Sequence, residues 1–198
     1  MSGRHRIYLA AAVTLFGMGG LGLLLMIVFH EQTFSNFFPG EKQPVFLQLL
    51  YGALYGIMAV LLLLRLLRLR FLKHTGQFFR KLLLRYRVGW LEIIMISVSA
   101  GVGEELLFRG GIQPWLGIWP TALIFVALHG YLNPRDHAVF IYGVVMIPIA
   151  AGLGWLYKDC GIWAAALAHT VIDVVLMARI LTRNQDPYAT GKQADPVG

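Results

Sequence analysis

The chain has 198 residues, of which 58% are hydrophobic and only 14% charged, with a formal net charge of +7. This composition excludes an ordinary soluble domain, and a single cysteine, Cys160, excludes an internal disulfide or a thiolate cluster. What remains is a polytopic membrane protein, and in lipid the only open-ended element that satisfies its own backbone hydrogen bonds is the helix.

Six apolar segments follow in chain order: residues 7–29, 45–64, 90–112, 118–132, 138–157 and 162–181. They predict an all-α bundle of about six transmembrane spans, the fourth short, forming one membrane domain over 1–182. Arg4 and Arg6 precede the first segment in the manner of a signal peptide. Its apolar length is too great and no small-x-small cleavage site follows, so it is taken as a span.

The positive charge is concentrated rather than spread. Arg65, Arg68, Arg70, Lys73, Arg80, Lys81, Arg85 and Arg87 lie between the second and third spans, interleaved with leucine and phenylalanine. That pattern fits an amphipathic segment on an anionic inner leaflet, and argues against nucleic acid as a partner. By the positive-inside rule this loop and both termini are cytoplasmic, and the stretch 30–44, with Lys42 as its one basic residue, faces out. The polar tail 183–198 is expected to be disordered.

Charges inside a span are costly and mark function by default, and the third span holds three: Glu104, Glu105 and Arg109. Glu105 and Arg109 are four apart and share a helical face, which suits an internal pair supporting the site. Glu104 points about 100° away and is left as the exposed chemistry.

Two histidines also sit in apolar runs, His129 after Phe125-Val-Ala-Leu and His169 before Thr-Val-Ile-Asp173. His5, His30, His74 and His137 are read as surface histidines. If the third and fourth spans form a hairpin turning at residues 114–117, Glu104 and His129 each lie about twelve residues, or roughly 19 Å, from the turn. His169 and Asp173 project from one face of the last span and reach a similar depth. Glu104, His129, His169 and Asp173 therefore surround one cavity.

A carboxylate and a histidine can together orient and deprotonate water, while a second histidine stabilises the oxyanion of an attacked amide. The same four residues would also suit a divalent metal such as zinc, although HExxH spacing is absent. No serine or cysteine nucleophile with matching partners is apparent. Gly101, Gly103, Gly110 and Gly111 bracket the charged motif and fit either helix distortion beside a cavity or ordinary small-residue packing. A non-catalytic membrane scaffold or self-immunity protein is the alternative use of this network. A small transporter is a third, disfavoured by the lack of an internal repeat.

The ordered set Glu104-Glu105-x-x-x-Arg109, Phe125-x-x-x-His129 and His169-x-x-x-Asp173 resembles the three motifs of the CPBP family, the CAAX-processing and bacteriocin-processing intramembrane proteases also called Abi. The resemblance runs over about 93–175 and implies a four-helix catalytic core at about 88–182. It implies an intramembrane endopeptidase acting on a membrane-associated protein or peptide. Glu104 would be the water-activating base, aided by His129, with His169 and Asp173 binding the carbonyl oxygen. Metal-free and metal-dependent mechanisms have both been argued for this family. Eukaryotic prenyl-protein endopeptidases carry Asn at the last position, where this chain has Asp173; an ionised aspartate would repel an oxyanion, so it must be protonated, orient His169 or ligate a metal. The compact core looks bacterial, which implies an inner-membrane location.

Overall fold

The computed structural model describes residues 3–30 and 43–182, which are 87% helical with no strand among them. Helix α1 runs Gly3–Phe29 with a π-helical stretch at Val13–Met18, and α2 runs Val45–Leu66. A 3₁₀ turn at Arg70–Leu72 leads into α3, Lys73–Arg85. Helix α4, Trp90–Glu105, passes without a break into a π-helical stretch, Leu106–Ile112, and a last turn, Gln113–Leu116. Then come α5, Ile118–Leu128, α6, His137–Asp159, and α7, Ile162–Thr182. The disorder expected for 183–198 and the outward loop around Lys42 lie outside the described residues.

Helices α1, α2, α6 and α7 are each long and apolar enough to cross a membrane. The bundle's outer surface matches that reading: Phe16 is 74% exposed and Leu128 72%, faces that lipid solvates and water would not. Of the about six spans expected, these four meet the length and composition of a span. The other two segments form a hairpin, whose first arm carries Glu104, Glu105 and Arg109. Its second arm, α5, has 11 residues, or roughly 16 Å, about half a hydrocarbon core. It stops short of the expected residue 132 because Gly130 takes φ 74° and turns the chain away. The hairpin turns at Gly117, whose φ of 81° only glycine adopts without strain.

Contacts along the helices fix their directions. Thr14 of α1 meets Gly103 and Tyr8 meets Glu92, so α1 and α4 run parallel. Gly52 and Gly56 of α2 lie against the carbonyls of Ala164 and Ala168, so α2 and α7 run parallel. Trp119 packs on Trp155 while Gly143 meets Tyr131, which makes α5 and α6 antiparallel.

The Gly52-x-x-x-Gly56 stripe works by removing bulk. A Cβ at either position would overlap a backbone carbonyl, so the two helices approach at a distance no larger residue permits. At the start of α7 the fully buried Gln48 accepts a hydrogen bond from Trp163 N–H through Oε1 and donates to the Gln43 carbonyl through Nε2. It thereby satisfies one of the orphan donors of a helix N-terminus in an apolar setting.

The basic segment packs where the sequence pattern puts it, along one end of the bundle. Leu72 and Thr75 are buried and Phe79 and Leu83 pack onto the core, while Phe78, Leu82 and Leu84 are exposed on the other side. A surface helix with outward phenylalanine and leucine among arginines fits the headgroup boundary of a bilayer. Phe79 reaches Tyr131 and Tyr142, so this end also holds the turn that follows His129.

Candidate active site

The polar groups gather where α4, the end of α5 and α7 meet. Arg109 Nε donates to Glu105 Oε2 at 2.9 Å, both side chains fully buried. The π-helical stretch begins at Leu106, between the two, and its wider turn keeps Arg109 stacked over Glu105. The other oxygen of Glu105 accepts from His169 Nδ1 at 2.9 Å. Glu105 thus joins α4 to α7 as well as pairing with Arg109, a link that spacing within one helix does not reveal.

His169 Nε2 lies 3.6 Å from Asp173 Oδ2, one helical turn further on. Across the site, His129 Nε2 lies 3.4 Å from Glu104 Oε2. The side chains of His129 and Asp173 are each 28% exposed and that of Glu104 13%, whereas Glu105 and Arg109 are sealed. Glu104, His129, His169 and Asp173 therefore come together as two carboxylate–imidazole pairs rather than as one ring of four.

The Phe125 ring sits between the pairs. It lies 4.4 Å from the His129 ring and 5.7 Å, edge to face, from that of His169, and the Arg109 guanidinium stands 5.2 Å over it. Its backbone carbonyl accepts a hydrogen bond from His129 Nδ1 at 2.8 Å.

These contacts fix where protons must be. A carbonyl only accepts, so His129 carries its proton on Nδ1 and turns Nε2 toward the Glu104 carboxylate. A carboxylate only accepts, so His169 likewise carries a proton on Nδ1 and turns Nε2 toward Asp173. In each pair a bare nitrogen lone pair would face bare carboxylate oxygens unless one further proton lies between them. Glu104 Oε2 is itself buried and has no hydrogen-bond partner among the described residues.

Among the described residues no three His, Cys, Asp or Glu side chains are gathered to hold a metal ion. Both Nδ1 atoms are already engaged, on the Phe125 carbonyl and on Glu105. The four-residue metal set read from the sequence does not fit this arrangement. Ser97 Oγ is buried with no hydrogen-bond partner, so no base activates it.

Sequence reasoning missed several supports. Phe125 was named in a motif with His129, but its ring's place between the two pairs was not read from that spacing. His30, read as a surface histidine, instead bonds through its Nε2 to the Gly111 carbonyl at 3.0 Å and stacks on Trp115, because α1 packs along the π-helical stretch. Glu92 accepts from Tyr8 Oη and from Gly89 N–H, both at 2.9 Å, and lies 3.5 Å from Arg4. Tyr131, 5.5 Å from the His129 ring, lies in a turn and gave no periodic signal.

Fold and site together define an all-helical integral membrane protein with paired carboxylates and imidazoles between its helices. Residues 86–175 match the family model described as type II CAAX prenyl endopeptidase Rce1-like. That stretch contains α4, α5, α6 and most of α7, with every residue of the three motifs, and it bears out the resemblance to the CPBP proteases. The chain is also 33% identical over 91 residues to the uncharacterized protein YpbD of Bacillus subtilis (strain 168), a stretch covering 45% of this chain and 46% of that protein. The chain thus spans about half the length of this curated relative. No solved structure matches it.

Proposed function

We propose that this chain is an intramembrane endopeptidase that hydrolyses a peptide bond in a membrane-associated protein or peptide, with the catalytic residues Glu104, His129, His169 and Asp173. The observation that carries the reading is the 3.4 Å gap between His129 Nε2 and a Glu104 oxygen that is buried and otherwise unpartnered. A water beside this pair, within hydrogen-bond reach of each atom, would be oriented by both groups.

In the proposed reaction the water oxygen attacks the scissile carbonyl carbon and its proton passes to Glu104. The carbonyl π electrons move onto oxygen, which His169 Nε2–H stabilises when the proton of the His169–Asp173 pair resides on the imidazole. In that state Asp173 is ionised and acts only by favouring the charged imidazolium, while the Nε2–H itself turns to the oxyanion. Collapse of the tetrahedral intermediate breaks the C–N bond, and the proton held by Glu104 goes to the leaving amine. Glu105 and Arg109 position His169 and touch no reacting atom.

The test uses purified protein in detergent with membrane peptides, with and without a chelator. Cleavage that resists the chelator and disappears in Glu104→Ala and His129→Ala supports the water-activating pair. Chelator-sensitive cleavage would mean that metal binding rearranges the site. A scaffold, by contrast, would keep its biological phenotype in Glu104→Gln. The basic end of the bundle is proposed to face the cytoplasm of a bacterial inner membrane.

A further inference from the structure

Between α1 and α4 lies a cavity of about 310 Å³ that has Glu104 in its wall. Ala10, Ile96 and Ala100 line its middle, and Arg6 and Tyr86 its other end. Ile96, Ala100 and Glu104 are spaced four apart on one face of α4, so the cleft runs along the helix for eight residues, or roughly 12 Å. One wall comes from α1, which lies outside the segment matched by the family model.

The arrangement of charge is asymmetric. Glu104 sits at the inner end, against His129, and an exposed arginine sits at the mouth. Arg4, two residues earlier, is taken by Glu92. Arg6 has no ion-pair partner among the described residues, so its charge is available to whatever enters the cleft.

From this geometry we infer that the cleft is a substrate subsite taking an extended apolar peptide segment, and that Arg6 is a specificity residue that binds a carboxylate on it. The inference rests on the proteolytic reading for the role of Glu104. An extended chain advances about 3.3 Å per residue, so a 12 Å cleft spans three to four residues between the scissile bond and the carboxylate. Small residues in the middle leave room for the apolar side chains. A carboxylate that meets the guanidinium at a partly apolar mouth is favoured over a neutral amide there, because both charges keep access to water while pairing.

The experiment separates binding from cleavage. Fluorescent hexapeptides of alanine and leucine, with glutamate or glutamine at the fourth position, are titrated onto full-length Glu104→Ala protein in detergent. A second pair carries a free or an amidated C-terminus in place of the side-chain difference. The account expects about two- to fivefold tighter binding of one carboxylate peptide over its neutral partner, and which pair discriminates identifies a side-chain or a terminal carboxylate. Adding Arg6→Ala should abolish the preference, and Arg6→Glu should transfer it to a lysine peptide. Equal binding of all peptides, or a preference that survives Arg6→Ala, overturns the subsite. Discrimination by Arg6 together with no cleavage by the wild-type protein keeps the subsite and overturns the proteolytic function.

Discussion

Glu105 is the residue on which the geometry turns, because its two oxygens serve two helices. One holds Arg109 and the other holds His169, so the carboxylate that spacing assigns to a brace also sets the tautomer of the second histidine. Removing its charge partner leaves a buried carboxylate with one bond fewer. Arg109→Ala should therefore destabilise the protein by about 3–5 kcal/mol, read as a lowered Tm in detergent, whereas an unchanged Tm would deny the brace. His129→Ala should behave oppositely. It removes a partly exposed ring and leaves no fully buried charge without its partner, so Tm should change less than in Arg109→Ala, while kcat should fall by about 10²–10⁴, the usual contribution of a general base or its partner. A stable, fully active variant would remove His129 from the mechanism.

At the scale of elements, the helices are set by small residues and by two local distortions. Gly101 of α4 lies against Ala166 and Thr170 of α7, the helix that carries His169 and Asp173, and a Cβ there would overlap both. Gly101→Val should force α4 and α7 apart and lower both Tm and activity, costing at least the 1–3 kcal/mol typical of overpacking. A variant with normal activity would show that the spacing of these helices is not critical. The hydrophobic segments predicted α1, α2, α6 and α7 to within a few residues, since apolar length alone defines a span. The turn at residues 114–117 was equally legible, through Pro114 and Gly117. The ends of α5 were not: the run of apolar residues continues past Leu128, and only the φ of Gly130 stops it. The π-helical stretches left no mark in composition either; they lie where α1 and α4 pack against one another.

For the whole molecule, the alternating helix directions gather the basic segment, the turn after His129 and the end of α7 at one pole, and leave Cys160 at the other. The membrane charge rule then makes a prediction with a native probe, since Cys160 is the sole cysteine. A membrane-impermeant maleimide should label it in intact cells, and labelling only after permeabilisation would reverse the orientation. Burial and the neighbouring Asp159 carboxylate push the Cys160 thiol up, so less thiolate is present at neutral pH and the labelling rate should keep climbing above about pH 8.5.

At this scale the three motifs were legible as one site because a lipid environment makes every intramembrane charge conspicuous. Its division into two pairs was not, since it depends on which atoms of His129 and His169 are taken by the Phe125 carbonyl and by Glu105. Arg6 escaped notice for the opposite reason: an arginine before a first span is usually a topology signal, and only the cavity beside it suggests another use.

The most direct test of the account is the cleavage rate of a membrane peptide by wild-type and Glu104→Gln protein reconstituted in the same vesicles. Glutamine preserves shape but removes the charge and the ability to take a proton. The account predicts cleavage by the wild type and a fall of at least about 10²-fold in the variant, with an unchanged Tm. Equal rates in the two proteins would contradict it.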